Sequence, residues 1–356
     1  MVCRFNVRLF LARMQEVGGL LFDNAPRVPS RGVPELPRLV PFVDHRYGRA
    51  ATLNEPVVAL SLYEVVNMAS GQLHVATQQE LAARFLIPAD ATIVLSGVDK
   101  DGLIERWWEL PNRPEILAGL ARLGVALVTA PNYSVLLDVP RTDNLHAMKR
   151  ILLAWTEMAA AGVTAALHVN ARTDHDYRRW AELIAKRPEI EALAFEFATG
   201  GGRGERIDWH VDQLCKLADR VGRPLTLVIR GGGRKTSQLR RHFAYVTLID
   251  TEAFARAIRR RRAVLTESGR IKWASSPTPK GAPIDGLFAH NVEIVRLAHE
   301  LGVEPAPRLR LVVKPRRVPD RNDEAIQPSL LGDLVVPAKA GGVAPESQRM
   351  IAAAKA

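Results

Sequence analysis

The clearest pattern in the chain is a series of short apolar runs separated by amphipathic stretches. Between these runs lie stretches of helical period at 113–123, 144–161, 177–185 and 209–221. The runs are short and rich in β-branched residues, as is typical of strands buried on both faces. Six runs in the middle of the chain predict strands: 91–95, 125–129, 164–169, 192–197, 225–230 and 245–250.

The spacing of these predicted strands favours a parallel sheet. Their starts are separated by 20 to 39 residues, and a strand that returns parallel to its neighbour needs a crossover of about this length, usually a helix. One further strand is expected at or near 57–63. The pattern therefore predicts an α/β fold, a (β/α) barrel-like domain that is complete or incomplete. A doubly wound open sheet is the alternative.

The domain organisation follows from where this pattern begins and ends. Residues 1–56 are expected to form an extended, Pro-rich arm, in which an amphipathic helix is possible at 7–17. Residues 57–250 are expected to form the barrel-like domain. Residues 251–319 are expected to form a basic extension, whose last part, 305–319, has an extended backbone. Residues 320–356 are expected to form a disordered tail. The expected elements of the extension are a helix at 252–262, a hairpin of 263–267 with 270–274, and a helix at 284–301.

Charge is concentrated in one stretch of this 356-residue chain. Residues 230–280 contain 13 Lys or Arg and 3 Asp or Glu, whereas the whole chain has a net charge of +11. A density of this kind suits a phosphate-rich partner, either DNA or RNA. Two cysteines exclude a disulfide framework and a Cys-based zinc motif, and they fit a reducing, cytoplasmic location. With no signal peptide or apolar span in the pattern, no membrane association is expected.

Polar residues follow the predicted strands, at the edge where parallel α/β folds carry their chemistry. If the registers are right, their side chains converge on one mouth and supply carboxylates for acid–base or nucleophilic work. His168 and Glu196 could instead be interior residues that satisfy one another, and Asp99 and Asp250 could cap helices. The candidate catalytic residues are Asp99, Asn132, His168, Glu196 and Asp250.

A glycine-rich segment follows the predicted strand 225–230. Backbone N–H groups of such a segment, opening a helix, can converge on an anion. It is not a Walker A loop, because Arg234 stands before Lys235 where that motif has Gly. The alternative is a flexible surface turn. The candidate phosphate ligands here are Arg230, Gly231, Gly232, Gly233, Arg234 and Lys235.

The second basic group begins in the predicted helix 252–262. Arg256, Arg259 and Arg260 would share one helical face, and the hairpin adds cations with an aromatic that could stack on a base. A solvated, charged face is the alternative. The hairpin residues predicted to contact nucleic acid are Arg270, Lys272 and Trp273.

A metal site is a weaker hypothesis, because no pair of candidate ligands has a diagnostic spacing. No cofactor is assigned from the sequence. The residues from which a divalent-metal site could be drawn are His168, Asp174, His175, Glu196 and His210.

The segment from Thr92 to about residue 200 resembles a family of uncharacterised proteins found on phages, plasmids and other mobile elements. The resemblance is carried by 131–134 (Pro-Asn-Tyr-Ser), 138–140 (Asp-Val-Pro), Asn144 and Trp155. It implies a barrel-like α/β domain and a mobile-element setting, and it implies no activity. A more distant similarity is to the tRNA-guanine transglycosylase barrels, whose zinc-binding cysteines are absent here.

These observations favour a protein that processes a nucleic acid or nucleotide, with phosphates held by residues 230–280. One alternative is a non-catalytic nucleic-acid-binding subunit of a larger complex, in which the barrel is a scaffold and protein partners are present. A third is an enzyme acting on a small phosphate-bearing substrate. The first interpretation depends on the basic residues and the polar strand ends sharing one cleft.

Overall fold

The fold is a closed barrel of eight parallel strands surrounded by helices. The structure is a computed structural model that describes residues 6–199 and 206–302, all of which lie in one compact unit, Met1–Pro307. The barrel strands are β1 (Leu39–Pro41), β2 (Val57–Ser61), β5 (Thr92–Ser96), β6 (Leu127–Thr129), β7 (Ala165–His168), β8 (Ala192–Glu196), β9 (Thr226–Arg230) and β10 (Tyr245–Asp250).

Neighbouring strands of the barrel are also neighbours in the chain. The sheet order is β1-β10-β9-β8-β7-β6-β5-β2, with every pair parallel. A parallel bridge between Phe42 and Ala59 joins β1 to β2. The predicted (β/α) barrel is therefore confirmed. The bridge between β1 and β2 closes it, so the alternative of a doubly wound open sheet is wrong.

The closing strand lies in the segment that the sequence suggests is an arm. The backbone N–H of Val43 donates to the carbonyl of Ala59 at 2.8 Å, and Leu39, Val40 and Val43 are all buried. The expectation that residues 1–56 form an extended arm is therefore wrong for this part of the segment, which belongs to the core. Pro41, which lacks an N–H, and a length of three residues weaken the strand signal of β1, so only its pairing with β10 reveals it.

Helices and two small hairpins surround the barrel. Strands β3 (Val66–Asn67) and β4 (Gln72–Leu73) form one hairpin, and β11 (Arg261–Leu265) and β12 (Ile271–Ser275) form the other. The helices are α1 (Val7–Glu16), α2 (Leu62–Val65), α3 (Gln78–Phe85), α4 (Asp101–Glu109), α5 (Arg113–Arg122), α6 (Arg141–Ala160), α7 (Asp174–Lys186), α8 (Arg206–Val221), α9 (Thr236–Leu239), α10 (Glu252–Ile258) and α11 (Asp285–Glu300).

Two apolar regions hold this arrangement together. A large cluster fills the space between the sheet and the helices and contains Trp107, Trp155 and Trp180, each almost fully buried. A smaller cluster fills the barrel and includes Ala59, Val94, Ala166, Ala194 and Val228. The interior is therefore packed with small side chains, which leaves the polar residues to the strand ends.

The basic extension has the predicted order of elements but a shorter first helix. α10 ends at Ile258, and Arg260 adopts a left-handed backbone conformation with φ of 52°, which starts the hairpin at Arg261. The predicted common helical face of Arg256, Arg259 and Arg260 is therefore wrong. The hairpin packs against α10 and α11, outside the barrel. The predicted 305–319 and 320–356 segments lie outside the described residues.

Candidate functional site

Strand alternation places one ring of polar side chains at the carboxyl-terminal mouth of the barrel. Because side chains on a strand alternate with a period of two, residues two positions after the interior cluster also point inward. Five such residues come two positions after Ala59, Val94, Ala166, Ala194 and Val228. They are Ser61, Ser96, His168, Glu196 and Arg230.

Arg230 crosses this mouth from one wall to the other. Its Nη1 donates to the carbonyl of Val98 at 3.2 Å and lies 3.5 Å from Oε2 of Glu196. Val98 follows β5, which stands opposite β9 in the ring of eight strands. The guanidinium also lies 5.4 Å from the ring centroid of Phe42. Arg230 and Glu196 thus form an ion pair at the centre of the mouth.

Burial sets the charge states of the two groups beside Arg230. Burial raises the pKa of Glu196, and the charge of Arg230 and the N–H of Ala198 lower it in part. His168 is 2% exposed, and burial, followed by the charge of Arg230, lowers its pKa to about 3. His168 is therefore a neutral imidazole at neutral pH. The alternative in which His168 and Glu196 hydrogen-bond each other does not hold, because Nε2 of His168 has no hydrogen-bond partner.

Asp99 and Asn132 lie on the rim beside this pair. Oδ2 of Asp99 accepts from Oγ of Ser61 at 3.2 Å, and Oδ1 accepts from the N–H of Lys100 at 2.8 Å. The N–H of Asn132 donates to the carbonyl of Gly97 at 3.0 Å, which fixes the loop after β6 against the loop after β5. Both residues are half-buried, so they can still contact a molecule at the mouth.

Asp250, in contrast, does not face the mouth. It adjoins Ile249 of the interior cluster, so strand alternation turns its side chain toward the helices. Its two carboxylate oxygens accept from the N–H groups of Glu252 and Ala253, each at 3.0 Å, and cap α10. Burial raises the pKa of Asp250 to about 6. Its expected convergence with the other candidates is wrong.

Several buried polar atoms at the mouth have no hydrogen-bond partner. Buried polar groups are almost always paired with protein, water or a ligand, so each such atom needs an explanation. Their clustering at one end of the barrel makes this end the candidate binding site. The atoms are Oγ of Ser96, Oδ1 of Asn132, Nε2 of His168, Oε2 of Glu196 and Nε of Arg230.

The glycine-rich segment after β9 is closely packed against the loop after β8. Gly231 and Gly232 have φ of 74° and 69°, and a Cβ on Gly231 would lie 2.7 Å from the backbone N of Ala198. Packing and backbone conformation thus account for these glycines, and the flexible-turn alternative does not. The predicted helix start is only a 3₁₀ turn, Gly233–Lys235, followed by the four residues of α9.

The cations of this segment differ in their partners. Nζ of Lys235 lies 2.7 Å from Oδ1 of Asp208, which ties the segment to α8. Arg234 is also held by a contact within the protein. Of the predicted phosphate ligands in this segment, Arg230 alone lies in the ring at the mouth.

The basic hairpin forms a separate surface on the outer helices. Arg256 pairs with Glu252 at 2.8 Å and lies 5.1 Å from the ring centroid of Trp273, so that ring is already in contact with a cation. Arg260 donates to the carbonyls of Ala282 and Pro283. The exposed cations of this surface are Arg259, Arg261, Arg262, Arg270 and Lys272.

No contact joins this hairpin surface to the mouth within the described residues. Arg256, Arg260 and Arg262 instead contact Glu252, Pro283 and His290, which all lie in the extension itself. The first functional interpretation needs one cleft shared by the basic residues and the polar strand ends. Contacts between the hairpin surface and the mouth do not form such a cleft.

The candidate metal ligands are also apart. His175 contacts Arg178, and Nδ1 of His210 lies 2.8 Å from the hydroxyl of Tyr177. In the described part of the chain, no three His, Cys, Asp or Glu side chains are grouped as a metal site would require.

The residues that carry the mobile-element resemblance support the loop after β6. The ring of Tyr133 lies 3.9 Å from the guanidinium carbon of Arg150. Asn144 both accepts from the N–H of Leu136 at 2.9 Å and donates to its carbonyl, and Nε1 of Trp155 donates to Ala165. These contacts give the motif a structural role, while Asn132 is its one residue at the mouth.

No protein-family model matches the chain, and no curated protein matches it either. A dihydropteroate synthase from Xanthomonas albilineans, in complex with indole-2-carboxylic acid and 6-chloroguanine, has a similar structure. The two chains are 12% identical with a TM-score of 0.34, and the match covers 63% of this chain and 90% of that one. The barrel assignment rests on the strand pairing itself. None of the described helices is long and apolar enough to cross a bilayer.

Sequence reasoning missed part of the mouth. Ser61 could have been found by counting two residues past Ala59, the interior position of β2. Arg172 and Arg206 lie outside this ring, at the starts of α7 and α8, where strand alternation gives no signal.

Proposed function

We propose that this protein is an enzyme that binds a small phosphate-bearing substrate at the barrel mouth and transfers a proton on it. The observation that carries this proposal is Arg230, which spans the mouth among buried polar atoms that lack hydrogen-bond partners. Closed parallel barrels carry their active sites at this end, and phosphate groups bind near the loops after the last two strands. Arg230 ends the seventh barrel strand.

Each residue of the mouth has a separate role in this proposal. Arg230 binds the phosphate, since a planar guanidinium matches phosphate oxygens with two parallel hydrogen bonds. Glu196 is the general acid or base, because its raised pKa brings its proton exchange closer to neutral pH. His168 stays neutral and hydrogen-bonds the reacting group through Nε2.

The substrate class includes nucleotides and sugar phosphates. Asp99 and Asn132 are half-buried on the rim, so they would contact the part of the substrate that differs between a nucleotide and a sugar phosphate. Phosphate binding by Arg230 also displaces Glu196 from its ion pair, which frees the carboxylate for proton transfer.

The test is phosphate binding by isothermal titration at low ionic strength. Arg230→Gln is expected to weaken binding of inorganic phosphate at least tenfold, and Arg230→Lys to weaken it less while it keeps the charge. Arg262→Gln, which removes an exposed cation of the hairpin, is the matched control. Unchanged binding in both Arg230 variants would contradict the proposal.

A second candidate is nucleic-acid binding by the hairpin, favoured by the exposed Arg262, Arg270 and Lys272. Strand alternation places these three on the outer face of the hairpin, opposite the buried Ala263 and Ile271. Neutralising phosphates with such cations releases counterions, so affinity falls steeply with salt. In this reading the protein acts as a nucleic-acid-binding subunit in the mobile-element setting that the resemblance implies.

Salt titration of binding to a 20-nucleotide single-stranded DNA and RNA tests this second candidate. The triple variant Arg262→Gln, Arg270→Gln, Lys272→Gln is expected to reduce the slope of log affinity against log salt by about 2 to 3. The control removes the exposed cations Arg106, Arg122 and Lys186 from other helices. Equal slopes in the two triple variants would rule out the hairpin as the binding surface.

A further inference from the structure

Two arginines stand at the start of neighbouring helices, where a positive charge is unfavourable. Arg172 precedes Thr173, the N-cap of α7, and Arg206 is the first residue of α8. The amino-terminal end of a helix carries a partial positive charge and stabilises anions. Two cations at two such ends therefore break the usual charge preference, which happens mostly at functional sites.

Neither arginine has a carboxylate partner among the described residues. Nη1 of Arg172 donates to the carbonyl of Ala171 at 3.1 Å and lies 3.4 Å from Oδ1 of Asn170, both of them uncharged. Burial, followed by the charge of Arg206, lowers the pKa of Arg172. Arg206 forms neither a hydrogen bond nor an ion pair within the described ranges 6–199 and 206–302.

The nearby carboxylates are already used. Oδ2 of Asp176 accepts from the backbone N–H groups of Arg172 and Thr173, each at 3.0 Å, and its Oδ1 pairs with Arg141. Asp208, in the first turn of α8, pairs with Lys235. Among residues 6–199 and 206–302, neither guanidinium group therefore has a carboxylate of its own to offset the repulsion between them.

A buried histidine beside this pair has an unpaired ring nitrogen. His210 is fully buried, and its Nδ1 lies 2.8 Å from the hydroxyl of Tyr177, while Nε2 has no partner. Burial, followed by the charges of Arg172 and Arg206, lowers its pKa to about 3. Because Tyr177 and His210 lie near the starts of α7 and α8, their contact places the two helix starts side by side. An anion would relieve the repulsion and complement both helix ends.

We propose that Arg172 and Arg206 form an anion subsite at the rim of the barrel, which binds a phosphate group. Asn170 links this subsite to the mouth, because it contacts Arg172 and also donates to the carbonyl of Tyr133 at 3.0 Å. The subsite lies after β7 and β8, and Arg230 ends the adjacent β9. Two strand spacings of about 4.8 Å separate the ends of β7 and β9 by roughly 10 Å, which sets the scale of the distance between the two positions.

The substrate class follows if both sites act together. In that case the substrate carries two phosphate groups roughly 10 Å apart, one on Arg230 and one on the Arg172–Arg206 subsite. This link rests on the proposed function, whereas the subsite itself does not.

The test compares two probes, hexane-1,6-diol bisphosphate and hexyl monophosphate, by isothermal titration in buffer free of phosphate and sulfate. Wild-type protein is expected to bind the bisphosphate at least tenfold more tightly. Arg172→Gln and Arg206→Gln are each expected to remove that advantage and to leave monophosphate affinity unchanged. Arg178→Gln, an exposed cation one turn into α7, is the matched control.

The melting temperature provides a second test, because it would not change in this way if Arg206 were only a solvated cation. Without added anions, Arg206→Gln is expected to raise the melting temperature, because it removes the repulsion from Arg172. Added bisphosphate is expected to raise the melting temperature of wild-type protein more than that of this variant.

The two proposals fail in different ways. If Arg172→Gln and Arg206→Gln keep the full bisphosphate advantage, the subsite is wrong, even if Arg230→Gln loses monophosphate binding as the proposed function expects. If Arg230→Gln binds both probes normally while Arg172→Gln and Arg206→Gln lose affinity, the subsite stands and the proposed function fails.

Discussion

The mouth of the barrel and the basic hairpin both carry arginines, but in different surroundings. At the mouth, Arg230 is largely buried and faces Glu196 and unpaired polar atoms. On the hairpin, Arg262, Arg270 and Lys272 are exposed to solvent. Charge density along the chain highlights the hairpin, whereas burial highlights the mouth. Since a buried charge is costly unless it is used, burial is the better guide to a binding site.

The largest effect that separates the two regions is expected from Arg230→Gln. The variant leaves the Glu196 carboxylate buried without a counter-charge, which should cost about 3 kcal/mol of unfolding free energy at pH 8. Arg262→Gln on the hairpin should cost less than about 0.5 kcal/mol. Urea unfolding measures both. A similar small loss for both variants would mean that the mouth is no more buried in solution than the hairpin.

The ion pair itself can be isolated with a second change. Adding Glu196→Gln to Arg230→Gln should recover part of the lost stability, because no charge is then left unpaired. In Arg230→Gln alone, the Glu196 pKa should rise further, so stability should fall as pH rises through that pKa.

A slightly smaller effect is expected from Gly231→Ala beside the mouth. The new Cβ would lie 2.7 Å from the backbone N of Ala198 at φ of 74°, and strain together with this contact should cost about 2 to 3 kcal/mol. The control is Gly281→Ala near the hairpin, where φ is 83° and nothing lies within 4 Å. It should cost only about 1 kcal/mol. Equal losses in thermal or urea unfolding would show that the loop after β9 is not packed as described.

The variant His168→Asn tests the mouth through the pH dependence of the free energy of unfolding. The His168 pKa is about 3 in the folded protein, below the unfolded value, so its contribution is present above pH 6.5 and is lost as pH falls. Between pH 6.5 and pH 5 this loss is about 2 kcal/mol in wild-type protein. In the variant, the free energy of unfolding should not show this loss as pH falls. The same loss in the variant as in wild-type protein would contradict the burial of His168.

The smallest expected effect concerns Asp250, which belongs to neither region. Its folded pKa of about 6 is above the unfolded value, so its contribution is greatest at low pH and is lost as pH rises. Between pH 4 and pH 5 this loss is about 1 kcal/mol. Asp250→Asn should remove it. Unchanged pH dependence in the variant would contradict the burial of this carboxylate.

Much of the barrel could be predicted from sequence, because a strand buried on both faces has a strong local signal. The runs that become β5 to β10 are of this kind, and their spacing requires parallel crossovers. The hairpin of β11 and β12 follows from its turn at Ser268-Gly269. α10 was predicted too long, since nothing local marks the left-handed conformation of Arg260.

The candidate site was predictable only where it lies on strands. His168, Glu196 and Arg230 were found because they end strands, and strand alternation confirms that they point inward. Asp250 was misplaced because a shift of one residue along a strand turns a side chain to the other face.

The chain alone therefore determines β5 to β10, their parallel order and the strand-end residues His168, Glu196 and Arg230, because these depend on local periodicity and crossover length. Tertiary structure decides three other things: the closure of the barrel by β1, the direction of Asp250, and the adjacency of the helix starts that carry Arg172 and Arg206. Each of these depends on pairing or packing between segments distant in the chain, and a local pattern carries no record of which distant segment will become its neighbour.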